Sequence, residues 1–144
     1  GLGDVYKRQA HTRVLNAEEL ESLNALNGGL AELLGLQFTH VGPREARAKL
    51  QVRPEHHQPW GVANGGLYCS IAETVASIAS VAAAGAPAVG VNNSSDFIRS
   101  TGEGELEAVA TPVQLGSRTH LWSVEMLQGG KLIARTTLRT MILS

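Results

Sequence analysis

Leu67-Tyr68-Cys69-Ser70-Ile71-Ala72-Glu73-Thr74-Val75-Ala76-Ser77-Ile78-Ala79-Ser80-Val81-Ala82-Ala83-Ala84 is the stretch on which the fold turns. It is apolar nearly all the way round, carries one charge at Glu73, and stops at Gly85-Ala86-Pro87. That combination reads as a helix with no broad solvent face. A membrane span is the other reading of so long an apolar run. Alanine and serine dominate it, however, and a central acid costs about 2.5–3.5 kcal/mol on insertion. The run is therefore expected in a protein core, and no membrane is expected as a partner.

The rest of the chain must supply the enclosure. Upstream, Glu45–Arg53 alternates, with Ala46, Ala48, Leu50 and Val52 on one face and Arg47, Lys49, Gln51 and Arg53 on the other, a half-buried strand. Phe38 begins a strand before it. Asn16-Ala17-Glu18-Glu19 reads as an N-cap and first-turn acids, opening a short helix marked by Leu20, Leu23 and Leu26 that Asn27-Gly28-Gly29 interrupts before Leu30. Downstream, Ala88–Ser100, Glu105–Leu115, Arg118–Gln128 and Lys131–Leu143 alternate as strands. Gly129-Gly130 marks a tight hairpin, and Pro112 a bulge or an unpaired position in its strand. No helices separate the later strands, so a two-faced parallel sheet is excluded. The economical solution is an α+β hotdog fold, a curved antiparallel sheet with a four-strand meander wrapped around one long helix.

Composition narrows the function. One hundred and forty-four residues build one core. Twelve basic against 13 acidic residues leave a charge of −1, with no field to gather nucleic acid, and 4% aromatics make no stacking platform. A lone cysteine, Cys69, permits no internal disulfide and fits a reducing, cytoplasmic setting. The opening Gly1-Leu2-Gly3-Asp4-Val5-Tyr6-Lys7-Arg8-Gln9 has no apolar signal core and resembles a cloning scar or translated sequencing adapter. Residues 1–10 are expected to stand outside the fold, non-native or disordered, and 11–144 to form one domain.

Glu73 is the chemical candidate. A carboxylate within a buried helix is paired, protonated or functional, unless it reaches solvent at a helix edge. Ser70, Thr74 and Ser77 lie within a turn of it and suggest a pocket. Asn64-Gly65-Gly66 opens the helix, where unpaired N–H groups carry partial positive charge and could hold an oxyanion; a plain glycine-rich loop is the bland reading. Gly65 and Glu73 are eight residues apart, about 12 Å along a helix. If both act on one carbonyl they belong to different subunits, and the site sits at a two-fold interface.

His56-His57-Gln58-Pro59-Trp60-Gly61-Val62-Ala63-Asn64-Gly65-Gly66, followed by Glu73, resembles the signature of hotdog acyl-CoA thioesterases of the phenylacetate-pathway type. It is most similar to the 4-hydroxybenzoyl-CoA thioesterase branch, which uses a helix glutamate. Val91-Asn92-Asn93-Ser94-Ser95-Asp96-Phe97-Ile98-Arg99 and Gly116-Ser117-Arg118 resemble that family's strand motifs. The resemblance implies Glu73 as nucleophile or general base, the Gly65 N–H as the carbonyl donor, Gln58 as its support and Ser77 as an orienting hydroxyl. Asn64 stands where the common pattern has histidine; it can orient but cannot titrate. Gly66, Trp60, Asn92, Ser117 and the phosphate-matching Arg99 and Arg118 are the candidate substrate and coenzyme A contacts, each with a structural alternative. Asp96 lines the site or serves a bulge.

Cys69 reads better as a buried thiol than as a nucleophile, and His56-His57 lacks the spacing of a metal pair. The expected activity is hydrolysis of an acyl-CoA, an aromatic one by the resemblance, by a homodimer or homotetramer with no cofactor beyond the coenzyme A of the substrate. The alternatives are a dehydratase of the same fold, which Asn64 disfavours, a non-catalytic acyl-CoA-binding or sensing module, and a structural protein whose Glu73 pairs across a dimer.

Overall fold

The computed structural model describes residues 2–143, with side chains from Lys7 onward. Three helices, α1 (Leu2–Thr12), α2 (Ala17–Leu26) and α3 (Leu30–Leu34), precede strands β1 (Gln37–Gly42) and β2 (Glu45–Val52). A single 3-10 turn (Pro54–His56) and a loop lead into α4 (Gly65–Ala84). Strands β3 (Ala88–Phe97), β4 (Gly104–Leu115), β5 (Thr119–Gln128) and β6 (Lys131–Ile142) complete the chain. This is the hotdog fold: six antiparallel strands curl around α4.

The predicted helix is present, one turn's edge longer at its start. Eleven of its residues are buried, including Ile71, Val75, Ala76 and Ala79. They pack against Leu50, Leu106, Val124, Met126 and Leu138 from four strands. α4 is long and apolar enough to cross a bilayer, but most of it is enclosed here. The expected inner face of β2 holds: Ala46, Ala48, Leu50 and Val52 are all buried. Gly129 and Gly130 both take positive φ, 56° and 80°, as a two-residue hairpin turn requires. The β4–β5 register shifts between Pro112 and Gln114, the bulge that Pro112 implied.

Two expectations are corrected. The later strands are not a simple meander, because the sheet order is β1-β2-β4-β5-β6-β3. After α4 the chain lays β3 against β6 at the far edge, and β4 returns to pair β2, which closes the sheet over the helix. The first ten residues do not wholly stand apart. Gly1 lies outside the described residues, but residues 2–12 form α1, Ala10 is in the core, and His11 Nδ1–H donates to the Ala82 C=O at 3.0 Å. A carbonyl in the last turn of α4 lacks a helical acceptor role to fill, so this bond fastens α1 to the helix end.

Candidate active site

The loop before α4 is built by its own hydrogen bonds. Gln58 N–H donates to Val62 C=O at 2.8 Å, Ala63 N–H to Thr101 C=O at 2.8 Å, and Asn64 N–H to His56 C=O at 2.8 Å. Both histidines are engaged. His56 Nδ1 accepts the Arg53 N–H at 3.0 Å, which leaves Nε2–H to donate to Leu34 C=O at 2.9 Å. That arrangement needs a neutral ring, and burial holds the His56 pKa below its usual value. His57 Nε2–H donates to Gly102 C=O at 2.7 Å.

Asn64 is the N-cap of α4: its side-chain oxygen accepts the Gly66 N–H at 2.7 Å. Leu67 N–H donates to the Asn64 C=O at 2.9 Å, and the Gly65 N–H finds no acceptor among the described residues. An unpaired donor therefore remains at the positive end of a twenty-residue helix. Gly65 lines a cleft of about 210 Å³ between the loop, the first turn of α4 and the end of β3. Gln58 and Arg99 line the same cleft. Gln58 Oε1 accepts the Trp60 N–H at 2.6 Å, so its amide NH2 is the end left to donate. A side chain at Gly65 would overlap the Phe97 ring, which is why glycine sits there.

Glu73 lies two turns along, exposed to solvent in the single chain, and this corrects the expectation of a buried carboxylate. It rests against β3: a methyl group at Gly90 would come within 3.2 Å of Glu73 Cγ. The neighbouring hydroxyls of Ser70 and Thr74 turn back onto the helix's own carbonyls. Ser70 donates to Gly66 C=O and Thr74 to Ser70 C=O, each at 2.8 Å, bonds that helical serine and threonine commonly form. Ser77 is half-buried on the turn after Glu73.

The remaining candidates scatter. Trp60 is 83% exposed and does not wall the cleft. Gly66 and Asn64 line a second groove with His57 and Ser70. Ser117 and Arg118 line a separate, largely apolar groove with Ala86, Met141 and Leu143, past the C-terminal end of α4. Asn92 pairs in register with Arg139 on the exposed face of the sheet, and Asp96 with Arg135 on that same face.

Two residues escaped the sequence reading. Asn93, not Asn92, faces the helix: its Nδ2–H donates to the Cys69 C=O at 2.9 Å. Ser95 donates to Asn93 Oδ1 at 2.7 Å and lies 2.6 Å from Thr136 Oγ1. Cys69 is four residues before Glu73, so its carbonyl is the natural acceptor of the Glu73 N–H, and this chain ties the acid's turn to β3 and β6. Tyr68 is the second. It is 3% exposed, lines the Gln58–Gly65 cleft, and its ring centre lies 5.8 Å from that of Phe97. Burial raises its pKa.

Residues 61–134 match the family model described as the thioesterase superfamily. The chain is 43% identical to Rv1847 of Mycobacterium tuberculosis (strain ATCC 25618 / H37Rv) over 112 residues, 74% of this chain and 80% of that one. It is 32% identical to the 1,4-dihydroxy-2-naphthoyl-CoA hydrolase of Escherichia coli (strain K12) over 128 residues, 86% of this chain and 94% of that one. Among solved structures, thioesterase HI1161 from Haemophilus influenzae superposes with a TM-score of 0.81 at 28% identity, covering 87% of this chain and 90% of that one.

Proposed function

The chain belongs to the thioesterase superfamily, and from that premise we propose that it hydrolyses an acyl-CoA, with an aromatic acyl group, to the free acid and coenzyme A. The observation that carries this reading is an unpaired Gly65 N–H and a free Gln58 amide NH2 on residues that line one cleft with aromatic Tyr68 and Phe97. Two donors on residues that line one cleft suit the oxygen of a thioester carbonyl, where negative charge develops during attack. A cavity of about 150 Å³ holds benzene, so about 210 Å³ accommodates one substituted ring. Among named relatives, the Escherichia coli protein carries a bicyclic aromatic acyl-CoA in its name.

Glu73 acts either as nucleophile or as the base that takes a proton from an attacking water. As nucleophile it expels the thiolate and forms a mixed anhydride that water then hydrolyses to the free acid; as base it directs the oxygen of water onto the carbonyl, the C–S bond breaks and the acid forms at once. On both routes one water is consumed and the leaving thiolate is protonated. Within one helix, Gly65 and Glu73 are about 12 Å apart. The reading therefore assembles each site from two copies, Glu73 of one subunit facing Gly65 of the other, in a homodimer or a homotetramer. Arg99, at the cleft, serves the coenzyme A phosphates. Ser117 and Arg118 are too far along the molecule for the same subunit's cleft and would meet coenzyme A only from another copy. The chemistry calls for no metal or redox cofactor, and the lone thiol, Cys69, suits a cytoplasmic enzyme.

Thiol release from benzoyl-, 4-hydroxybenzoyl-, phenylacetyl-, short-chain and long-chain acyl-CoA, with wild type beside Glu73→Gln, tests the reading. Turnover that collapses in the variant while coenzyme A binding persists is the expected result. Binding without turnover of any thioester by the wild type would make the protein an acyl-CoA-binding module instead.

A further inference from the structure

Residues 56–64 form a miniature hairpin. Asn64 N–H donates to His56 C=O and Gln58 N–H to Val62 C=O, each at 2.8 Å, and His57 pairs with Ala63 across it. Gly61 N–H closes the turn onto Gln58 C=O at 3.1 Å, with Gly61 at φ 81°. Gln58 belongs to that turn, and the leg that ends at Asn64 runs directly into Gly65. Both proposed carbonyl donors therefore ride on this element. Two strands so short do not hold a fixed place in water by themselves.

Two adjacent histidines anchor it to different segments. His56, 6% exposed, accepts the Arg53 N–H at 3.0 Å through Nδ1 and donates from Nε2–H to Leu34 C=O at 2.9 Å. Leu34 ends α3, where carbonyls have no helical partner, and the Arg53 guanidinium takes Leu33 C=O beside it at 3.1 Å. On the other leg side, His57 Nε2–H donates to Gly102 C=O at 2.7 Å, and Ala63 N–H to Thr101 C=O at 2.8 Å. This second anchor is itself tied down. The Thr101 hydroxyl donates to Gln128 Oε1 at 2.8 Å, and Gln128 Nε2–H donates to Glu103 C=O at 2.7 Å. A methyl group at Gly102 would come within 2.6 Å of the Gly61 carbonyl oxygen, so the two loops lie in close contact.

We propose that His56 and His57 are positioning residues, a two-sided clamp that holds the Gln58 amide and the Gly65 N–H in their places at the cleft. The inference rests on the thioesterase reading and adds to it two residues that act through others. Donors work when they lie about 2.7–3.1 Å from the developing oxyanion, and a displacement of about 1 Å can cost about a hundredfold in rate. A hairpin loosened at one anchor still admits the substrate but stabilises the transition state less. The loss therefore falls on kcat rather than KM.

The test measures kcat and KM for thiol release by His57→Leu, which removes one anchor, and by His57→Gln, whose amide N–H still reaches the Gly102 carbonyl. His57→Leu should lose about tenfold to a hundredfold in kcat with KM within about twofold, and His57→Gln should recover most of that loss. His56→Asn, whose side-chain oxygen replaces Nδ1 as acceptor for the Arg53 N–H, should likewise exceed His56→Leu. Circular dichroism checks that each variant is folded, and the His57 pair decides alone should His56→Leu fail to fold. Because His57 acts through its neighbour, adding His57→Leu to Gln58→Ala should cost only about threefold or less. An unchanged kcat in folded His57→Leu overturns the clamp. So does a glutamine variant no better than the leucine one, a loss carried by KM, or full additivity with Gln58→Ala. A wild type that turns over no thioester removes the thioesterase reading and the clamp with it, whereas an active wild type indifferent to His57→Leu removes the clamp alone.

Discussion

The two edges of the sheet are treated in opposite ways. At β1, the Asn24 side chain brackets one residue of the strand, its Nδ2–H donating to Phe38 C=O at 2.8 Å and its Oδ1 accepting Phe38 N–H at 2.7 Å. Leu15 N–H donates to Val41 C=O at 2.9 Å, so the outward groups of a six-residue strand are taken up by α2 and the segment before it. At β3, ten residues long, no backbone group on the outer side finds a partner among the described residues. Val89 and Val91 stand 44% and 49% exposed there. An open edge with apolar flanks invites another strand. The same strand borders both halves of the candidate site, Phe97 at the Gly65 cleft and Gly90 against Glu73. The blocked edge holds the domain together, and the open edge is where the proposed second copy completes the chemistry.

The largest effect is expected from breaking the open edge. Val91→Asp places like charges where two copies of β3 would meet, and should yield a folded monomer with activity reduced about a hundredfold or more. Light scattering and circular dichroism, read with thiol release, check this, and an active monomer would refute the shared site. A second experiment sharpens the same point. Mixing Glu73→Gln with Gln58→Ala subunits should restore about a quarter of wild-type activity, because about half of randomly formed dimers are mixed and each has one intact site. No recovery would place both groups in one chain.

At the blocked edge, Asn24→Leu removes two hydrogen bonds to Phe38 and should cost about 1–3 kcal/mol in urea unfolding, with oligomeric state and kcat unchanged. Asn93→Ala, on the open side, loosens the tie from β3 to the Cys69 carbonyl. It should lower kcat by about threefold to tenfold with KM little altered, whereas a purely structural role would show only in Tm. The smallest effect concerns acid. Glu19 shares a capping box with Asn16 and pairs with Arg13 at 2.7 Å, bonds that lower its pKa to about 2. The Arg13 bond is the larger cause. A depressed carboxyl stabilises the fold above its unfolded pKa, about 4.3, and that contribution is lost as pH falls toward 2. Glu19→Gln should flatten the pH dependence of Tm in that window, and an unchanged slope would remove the cap from the account of how α2 stays seated on β1.

The sequence misled at β3 for an identifiable reason. The β3–β6 register shifts between Gly90 and Asn92, and one extra residue inverts which side chains face the core. Asn92 and Asn93 are chemically identical in the sequence, so only the bulge decides that Asn93 reaches the helix. Tyr68 was hidden differently, because one tyrosine in an apolar helix reads as core until its hydroxyl is seen to lack a partner. Glu73 stands out by its isolation in an apolar run, and Gly65 by the glycine pair, signals that make both candidates without coordinates.

By itself the sequence determined the enclosed helix and its stop at Gly85, the inner face of β2, an irregularity at Pro112 and the Gly129-Gly130 turn. These follow from periodicity, caps and turn chemistry, which act between residues a few positions apart. Only the tertiary structure decided that β4 lies between β2 and β5, that β1 is blocked and β3 open, that Glu73 faces solvent in a lone chain, and that Tyr68 joins the Gly65 cleft. Each of those depends on which distant segments pair and on what one side chain meets when they do, and no local pattern carries that information.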